Sequence, residues 1–245
     1  MMRLDRYLVT LGVGSRTQVQ RLIRGGGVCV DGATVRDPAF ACREGADIRA
    51  GGRQLDTRLM RHVMLHKPAG LLTAARDRKQ QTVMDLLPGE YAAIGCMPVG
   101  RLDKDTTGLL LLSCDGELNH RLLAPARHVD KTYFARVDGA LGEDAVRAFA
   151  SGLRLSDFDA APARLEIITP DTARVTIHEG RFHQVKRMFE AVGCTVVTLH
   201  RERFGPLCLD ESLEEGAWRE LTREEADALY LAAGMNPPVT AEEQS

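Results

Sequence analysis

Residues 98–116 read PVGRLDKDTTGLLLLSCDG. The four leucines at 109–112 predict a buried strand. Just ahead of it, Arg101, Asp103, Asp105, Thr106, Thr107 and Gly108 crowd polar or flexible side chains into the span 101–108. A buried strand with a polar, turn-rich loop at its mouth is a usual place for catalytic groups. Asp103 and Asp105 stand two residues apart, so an extended chain would aim both the same way while a turn would separate them. The spacing alone does not make a paired-carboxylate site.

Outward from this stretch, apolar periodicity predicts helices over 82–87, 117–123, 142–151, 183–192 and 223–232. Strands are expected at 63–66, 97–100, 109–113, 132–137, 163–168, 173–178, 195–199 and 218–219. Helices fall among strands without βαβ regularity, which argues for a mixed α+β sheet rather than a doubly wound parallel one. Two further segments draw notice. The stretch 178–190, HEGRFHQVKRMFE, gathers Arg181, Lys186 and Arg187 with His178 and His183 near the start of a helix. Cations there are disfavoured by the helix dipole unless a local acid or a polyanion offsets them. The two histidines fit no standard metal-ligand spacing, so no metal is expected. The second segment, 130–134, places Tyr133 in a β run, where an aromatic ring is ordinarily core.

Towards the N-terminus, Leu4, Tyr7, Leu8 and Leu11 recur at helical spacing, and Gly12 and Gly14 close that helix. Ser15 and Gln18 have the spacing of a capping box that opens a second helix, which Gly25, Gly26 and Gly27 end. Arg16, Arg21 and Arg24 occupy its outer face. Asp31-Gly32, between Val30 and Ala33, signals a hairpin.

The 245 residues are 44% apolar and 27% charged, ordinary for a globular chain. The formal net charge of −2 hides a strong segregation: +5 over residues 1–62, +1 over 63–205 and −8 over 206–245. A uniformly basic nucleic-acid binder is excluded; one with local basic patches is not. The six cysteines form no CxxC and read as reduced thiols of a cytoplasmic protein. No signal peptide and no apolar run of membrane length is evident, so no membrane partner is expected.

Two resemblances emerge from these residues. RLDRYL at 3–8, Ser15-Arg16, the glycine break and Val28-Cys29-Val30-Asp31-Gly32 are similar to an S4 domain, a small RNA-binding module. There the second helix and the following turn meet RNA phosphates. The resemblance therefore implies that Arg3, Arg16, Arg21 and Arg24 bind RNA, with Arg6 and Arg36 beside them. MLHKPAG at 64–70, GRLDKDTTGLLLL at 100–112, KTYFARV at 131–137, EGRFHQVKRMFEAVG at 179–193 and VVTLHRERFGPLCLD at 196–210 resemble, in this order, the pseudouridine synthases. Their details are similar to the branch that modifies a uridine of small-subunit ribosomal RNA.

The resemblance implies an α+β fold. A small N-terminal S4 (α-L) domain at 1–56 and a linker at 57–62 would precede a catalytic domain at 63–235. That domain would carry a mixed, mostly antiparallel β-sheet flanked by helices, and 236–245 reads as a disordered tail. The family's essential aspartate falls on Asp103. Its cation falls on Lys186, where other members often carry Arg, and its active-site tyrosine on Tyr133. Leu199 would wall the uracil pocket. Arg101 would fill the gap left by a flipped uridine, Arg181 and Arg187 would meet phosphate or hold the loop, and Arg201, with His200 and Arg203, would extend the RNA surface. Asp105, Thr106 and Thr107 would shape the loop. No cofactor is implied, because the base leaves and returns without redox change. The implied partner is 16S ribosomal RNA in an assembling small-subunit particle, met by a monomer. A large-subunit RNA target and a non-catalytic S4-type assembly factor remain as alternatives.

Overall fold

The computed structural model describes residues 1–238. The greater part of the expected tail, 239–245, lies outside the described residues.

The N-terminal unit builds on helices Leu4–Thr10 and Arg16–Arg24 packed on a four-stranded antiparallel sheet. Leu4, Tyr7, Leu8, Val19, Ile23, Val28 and Ile48 form its core. The second helix begins with the expected capping box. The Ser15 amide donates to Gln18 Oε1 at 2.8 Å, and the Gln18 amide donates to Ser15 Oγ at 3.4 Å. The hairpin turn falls on Asp31 and Gly32, both at positive φ, as a two-residue type I′ turn requires.

The 57–62 segment is short but fixed. The Tyr7 hydroxyl donates to the Thr57 carbonyl. Arg61 is buried and its guanidinium donates to Glu90 Oε1 at 2.9 Å. Arg58 pairs with Glu220 at 2.8 Å.

The second unit is a nine-stranded sheet. Its main path runs from strand Arg164–Thr169 through Thr172–Ile177, Lys131–Asp138, Thr195–Phe204, Thr107–Ser113 and His62–Lys67 to Trp218–Glu220. Every pairing on this path is antiparallel except one. Thr195–Phe204 meets Thr107–Ser113 in parallel, through His200 opposite Thr107 and Arg201 opposite Gly108. The mixed α+β class expected from the sequence is the one found.

The leucine run is explained by cover on both faces. Val63, Leu65, Leu110 and Leu112 join a core with Phe149, Val185, Met188 and Phe189, from helices Glu143–Ser151 and Gln184–Ala191. Met64, Leu109 and Leu111 point the other way, onto Leu118, Leu122, Leu229 and Tyr230 of helices Gly116–Leu123 and Arg223–Ala232. The period of two thus assigns alternate leucines to opposite cores.

Two expectations are corrected. The helix at 82–87 is only a 3₁₀ turn, Val83–Leu86, capped by Thr82 and Asp85. The strand at 195–199 continues to Phe204, because Leu199, Arg201 and Phe204 are buried along it despite the charges between them. Among the described residues, no helix is long and apolar enough to cross a membrane.

Candidate active site

The loop 101–106 enters and leaves between two glycines at positive φ, Gly100 at 75° and Gly108 at 103°. At Gly108 a side chain is sterically excluded: a Cβ would lie 2.3 Å from the carbonyl oxygen of Arg201. The parallel pairing brings the two strands together at this point, so the loop springs from the seam of the sheet.

Two groups, one at the end of strand His62–Lys67 and one in the segment after it, hold the loop from beneath. Lys67 is fully buried, and its ammonium donates to the carbonyls of Pro68 at 2.9 Å, Lys104 at 3.2 Å and Thr106 at 3.0 Å. Burial pulls its pKa from 10.5 down to about 8. The Thr73 hydroxyl donates to the Leu102 carbonyl at 2.8 Å and accepts from the Leu102 amide at 3.2 Å.

The cleft above this loop has an empty volume of about 400 Å³, and Arg101, Asp103, Tyr133, Arg181, Lys186 and Leu199 all line it. It thus gathers residues from four separate stretches of the sequence. Lys186 Nζ lies 3.5 Å from Asp103 Oδ2 but donates more closely to Asp105, at 2.6 and 2.8 Å. That hydrogen bond, ahead of the simple charge attraction, holds the Asp105 carboxyl below the usual carboxylate range. Asp105 therefore does more than shape the loop, since it shares the lysine with Asp103. His183 approaches Asp103 from the other side, with Nε2 3.6 Å from Oδ1. Tyr133 is almost wholly buried at the base of the cleft, on strand Lys131–Asp138.

The basic start of helix Gln184–Ala191 is offset by local acids: Asp103 and Asp105 for Lys186, and Asp157 for Arg187. Arg187 also donates to Ser156 Oγ at 2.9 Å and covers the Phe158 ring. Of the two roles implied for Arg187, its contacts match holding the loop.

Arg201 is corrected outright. It was expected on an RNA surface, yet it is 1% exposed. Its Nε donates to the Leu109 carbonyl at 2.7 Å, and its guanidinium packs against the rings of Tyr133 and Phe204. The strand register places it opposite Tyr133 and beside the parallel seam, where solvent is absent. Its neighbours Glu202 and Arg203 take the outer positions.

On the N-terminal unit, Arg16, Arg21 and Arg24 are exposed. Arg3 grips Asp5 through two hydrogen bonds, at 3.1 and 3.0 Å, and the Arg36 guanidinium donates to the Arg24 carbonyl at 3.3 Å.

Two groups in or under the site, Lys67 and His183, carry roles that the sequence did not reveal. Lys67 closes an apolar strand just ahead of Pro68, and its burial shows only in the fold. Thr106 lines the cleft with a buried hydroxyl that has no partner among the described residues. His183 was weighed only as a metal ligand and instead faces Asp103. His178, its supposed partner, packs on His128.

A family model described as RNA pseudouridylate synthase matches residues 61–191, and an S4 domain model matches residues 2–48. A ribosomal small subunit pseudouridine synthase A of Pseudomonas aeruginosa is 45% identical, over 91% of this chain and 98% of its own. Its Escherichia coli K12 namesake is 44% identical, with the same coverage. A solved structure, "Crystal structure of pseudouridylate synthase", is 36% identical and superposes with a TM-score of 0.67, covering 94% of this chain and all of its own.

Proposed function

The chain belongs to the RNA pseudouridylate synthase family, and from that premise we propose that it isomerises a specific uridine of 16S ribosomal RNA to pseudouridine, with Asp103 acting at the ribose. The observation that carries the reading is the carboxylate of Asp103 in a cleft shared with Tyr133, Lys186 and Leu199. The small-subunit target rests on the relatives of that name, which match nearly end to end.

The geometry suits the chemistry. A uridine stacked in RNA is out of reach, so the target base must swing into the cleft. Arg101 stands exposed at the rim, placed to occupy the space the base leaves. Tyr133 and Leu199 offer a ring and an apolar wall to the uracil. Asp103 then attacks the anomeric carbon as the glycosidic bond loosens, or removes a proton from the sugar; a carboxylate serves either path. Lys186 Nζ, 3.5 Å from Asp103 Oδ2, sets a cation beside the carboxylate. Uracil turns and rejoins through carbon, so atoms and electrons balance within one nucleotide. Exposed arginines of the S4 domain supply phosphate contacts away from the cleft.

The test is made in cells. Deleting the gene should remove one pseudouridine from 16S rRNA. Wild type should restore it, and Asp103→Asn should not, although the variant protein still binds the RNA. Loss of a site in 23S rRNA instead would replace the target. Restoration by Asp103→Asn would remove Asp103 from its role.

A further inference from the structure

Among the described residues, Phe182 is the most exposed of the Phe, Tyr and Trp side chains. Its side chain is 75% exposed, whereas the rest of its segment is polar or buried. One face of the ring lies against His183, with centroids 3.8 Å apart and planes 18° from parallel. His183 is itself unusual. It holds φ at 52°, in the left-handed region that a residue with a Cβ seldom adopts, and caps its helix without a side-chain hydrogen bond. Such a conformation persists only where the surroundings impose it, and it clusters at functional positions. Here it turns the imidazole toward Asp103, 3.6 Å away, while Phe182 stays outside. The pair thus forms a two-ring stack that begins at the cleft and ends in solvent. Arg181, which lies over the Phe158 ring, and Arg101 leave exposed cations beside it.

We propose that the Phe182–His183 stack is a platform for a nucleobase adjacent to the uridine drawn into the cleft. This rests on the reading of the substrate as RNA. When a uridine leaves its stack, the neighbouring base loses a stacking partner, and an exposed aromatic ring at the mouth of the cleft replaces it. Single-stranded bases are held this way on aromatic side chains, with little regard for base identity, while nearby arginines take the phosphates. The platform fixes how deep the flipped nucleotide sits, because its inner ring touches the same carboxylate that acts on the sugar.

The test is a binding cycle with the full-length protein. The probe is a 16S rRNA fragment carrying the target uridine, intact or with an abasic residue on its 5′ or 3′ side. Phe182→Ala should weaken binding of the intact fragment about 10- to 100-fold, the range of one lost base–aromatic stack. Phe182→Tyr should restore it. At one flank the abasic residue should weaken the wild type by a similar factor and the Phe182→Ala variant hardly at all. An unchanged melting temperature for Phe182→Ala would show that the ring serves no structural purpose. Equal binding by Phe182→Ala and wild type would overturn the proposal, as would abasic losses that multiply with the mutation at both flanks. If the wild type converts no uridine in any rRNA fragment, the substrate reading fails; if it converts the fragment while Phe182→Ala binds normally, only the platform fails.

Discussion

Lys67 has no exposed surface, and three carbonyl oxygens surround its ammonium. Unfolded, it keeps its proton up to pH 10.5; folded, it loses it near pH 8. Between those values the unfolded chain binds more protons, so stability rises with pH across the window. The desolvation cost is fully present below pH 8 and relieved by pH 10.5. Lys131, also buried and brought down to about 8, adds the same sign. Lys67→Met should remove about half of that rise, as urea unfolding at about pH 8 and about pH 10 would reveal. At neutral pH the variant should lose about 2 kcal/mol, because three carbonyls in and beside the 101–106 loop lose their donor. Asp103, Tyr133 and Lys186 were legible as ordered motifs. Lys67 and Arg201 were not, because a cation in a β run looks alike in the sequence whichever way it faces. Only the pairing of Arg201 opposite Tyr133, residues far apart in the chain, decides that its guanidinium turns inward.

Among the elements, the strand Thr107–Ser113 carries the heaviest constraint. It is buried on both faces, it closes the 101–106 loop, and it meets its parallel neighbour through only two residue pairs. Gly108 makes that contact possible. Gly108→Ala should destabilise the protein by about 3 kcal/mol in urea unfolding, through backbone strain and collision with the Arg201 carbonyl. Pseudouridine formation by the remaining folded protein should fall too, since the loop of Asp103 runs directly into this strand. The four-leucine run announced the strand, and Ser15 and Gln18 announced a helix start, because local periodicity and capping are written in adjacent residues. The second half of Thr195–Phe204 was hidden, because its charged residues suggested solvent while long-range pairing made it a central strand.

At the scale of the molecule, charge is distributed as function requires. The basic N-terminal unit sets Arg16, Arg21 and Arg24 on one exposed helix, and the acidic C-terminal residues stand apart from it in sequence. Replacing these three arginines by alanine should weaken RNA binding at every sequence tested. It should also make the slope of log affinity against log salt shallower by about 2 to 3, one counterion-release increment per lost phosphate contact. Filter binding at several salt concentrations measures it. The same whole-molecule view gives the parallel seam a further significance. The loop of Asp103 rises from the interior of the sheet, while strands Arg164–Thr169 and Trp218–Glu220 form its outer ends. Material grafted at either end, including a different nucleic-acid-reading module, would leave the seam and its chemistry untouched. The sheet's margins and its seam are therefore separate places in the fold, the one open to added chain and the other closed by pairing on both sides.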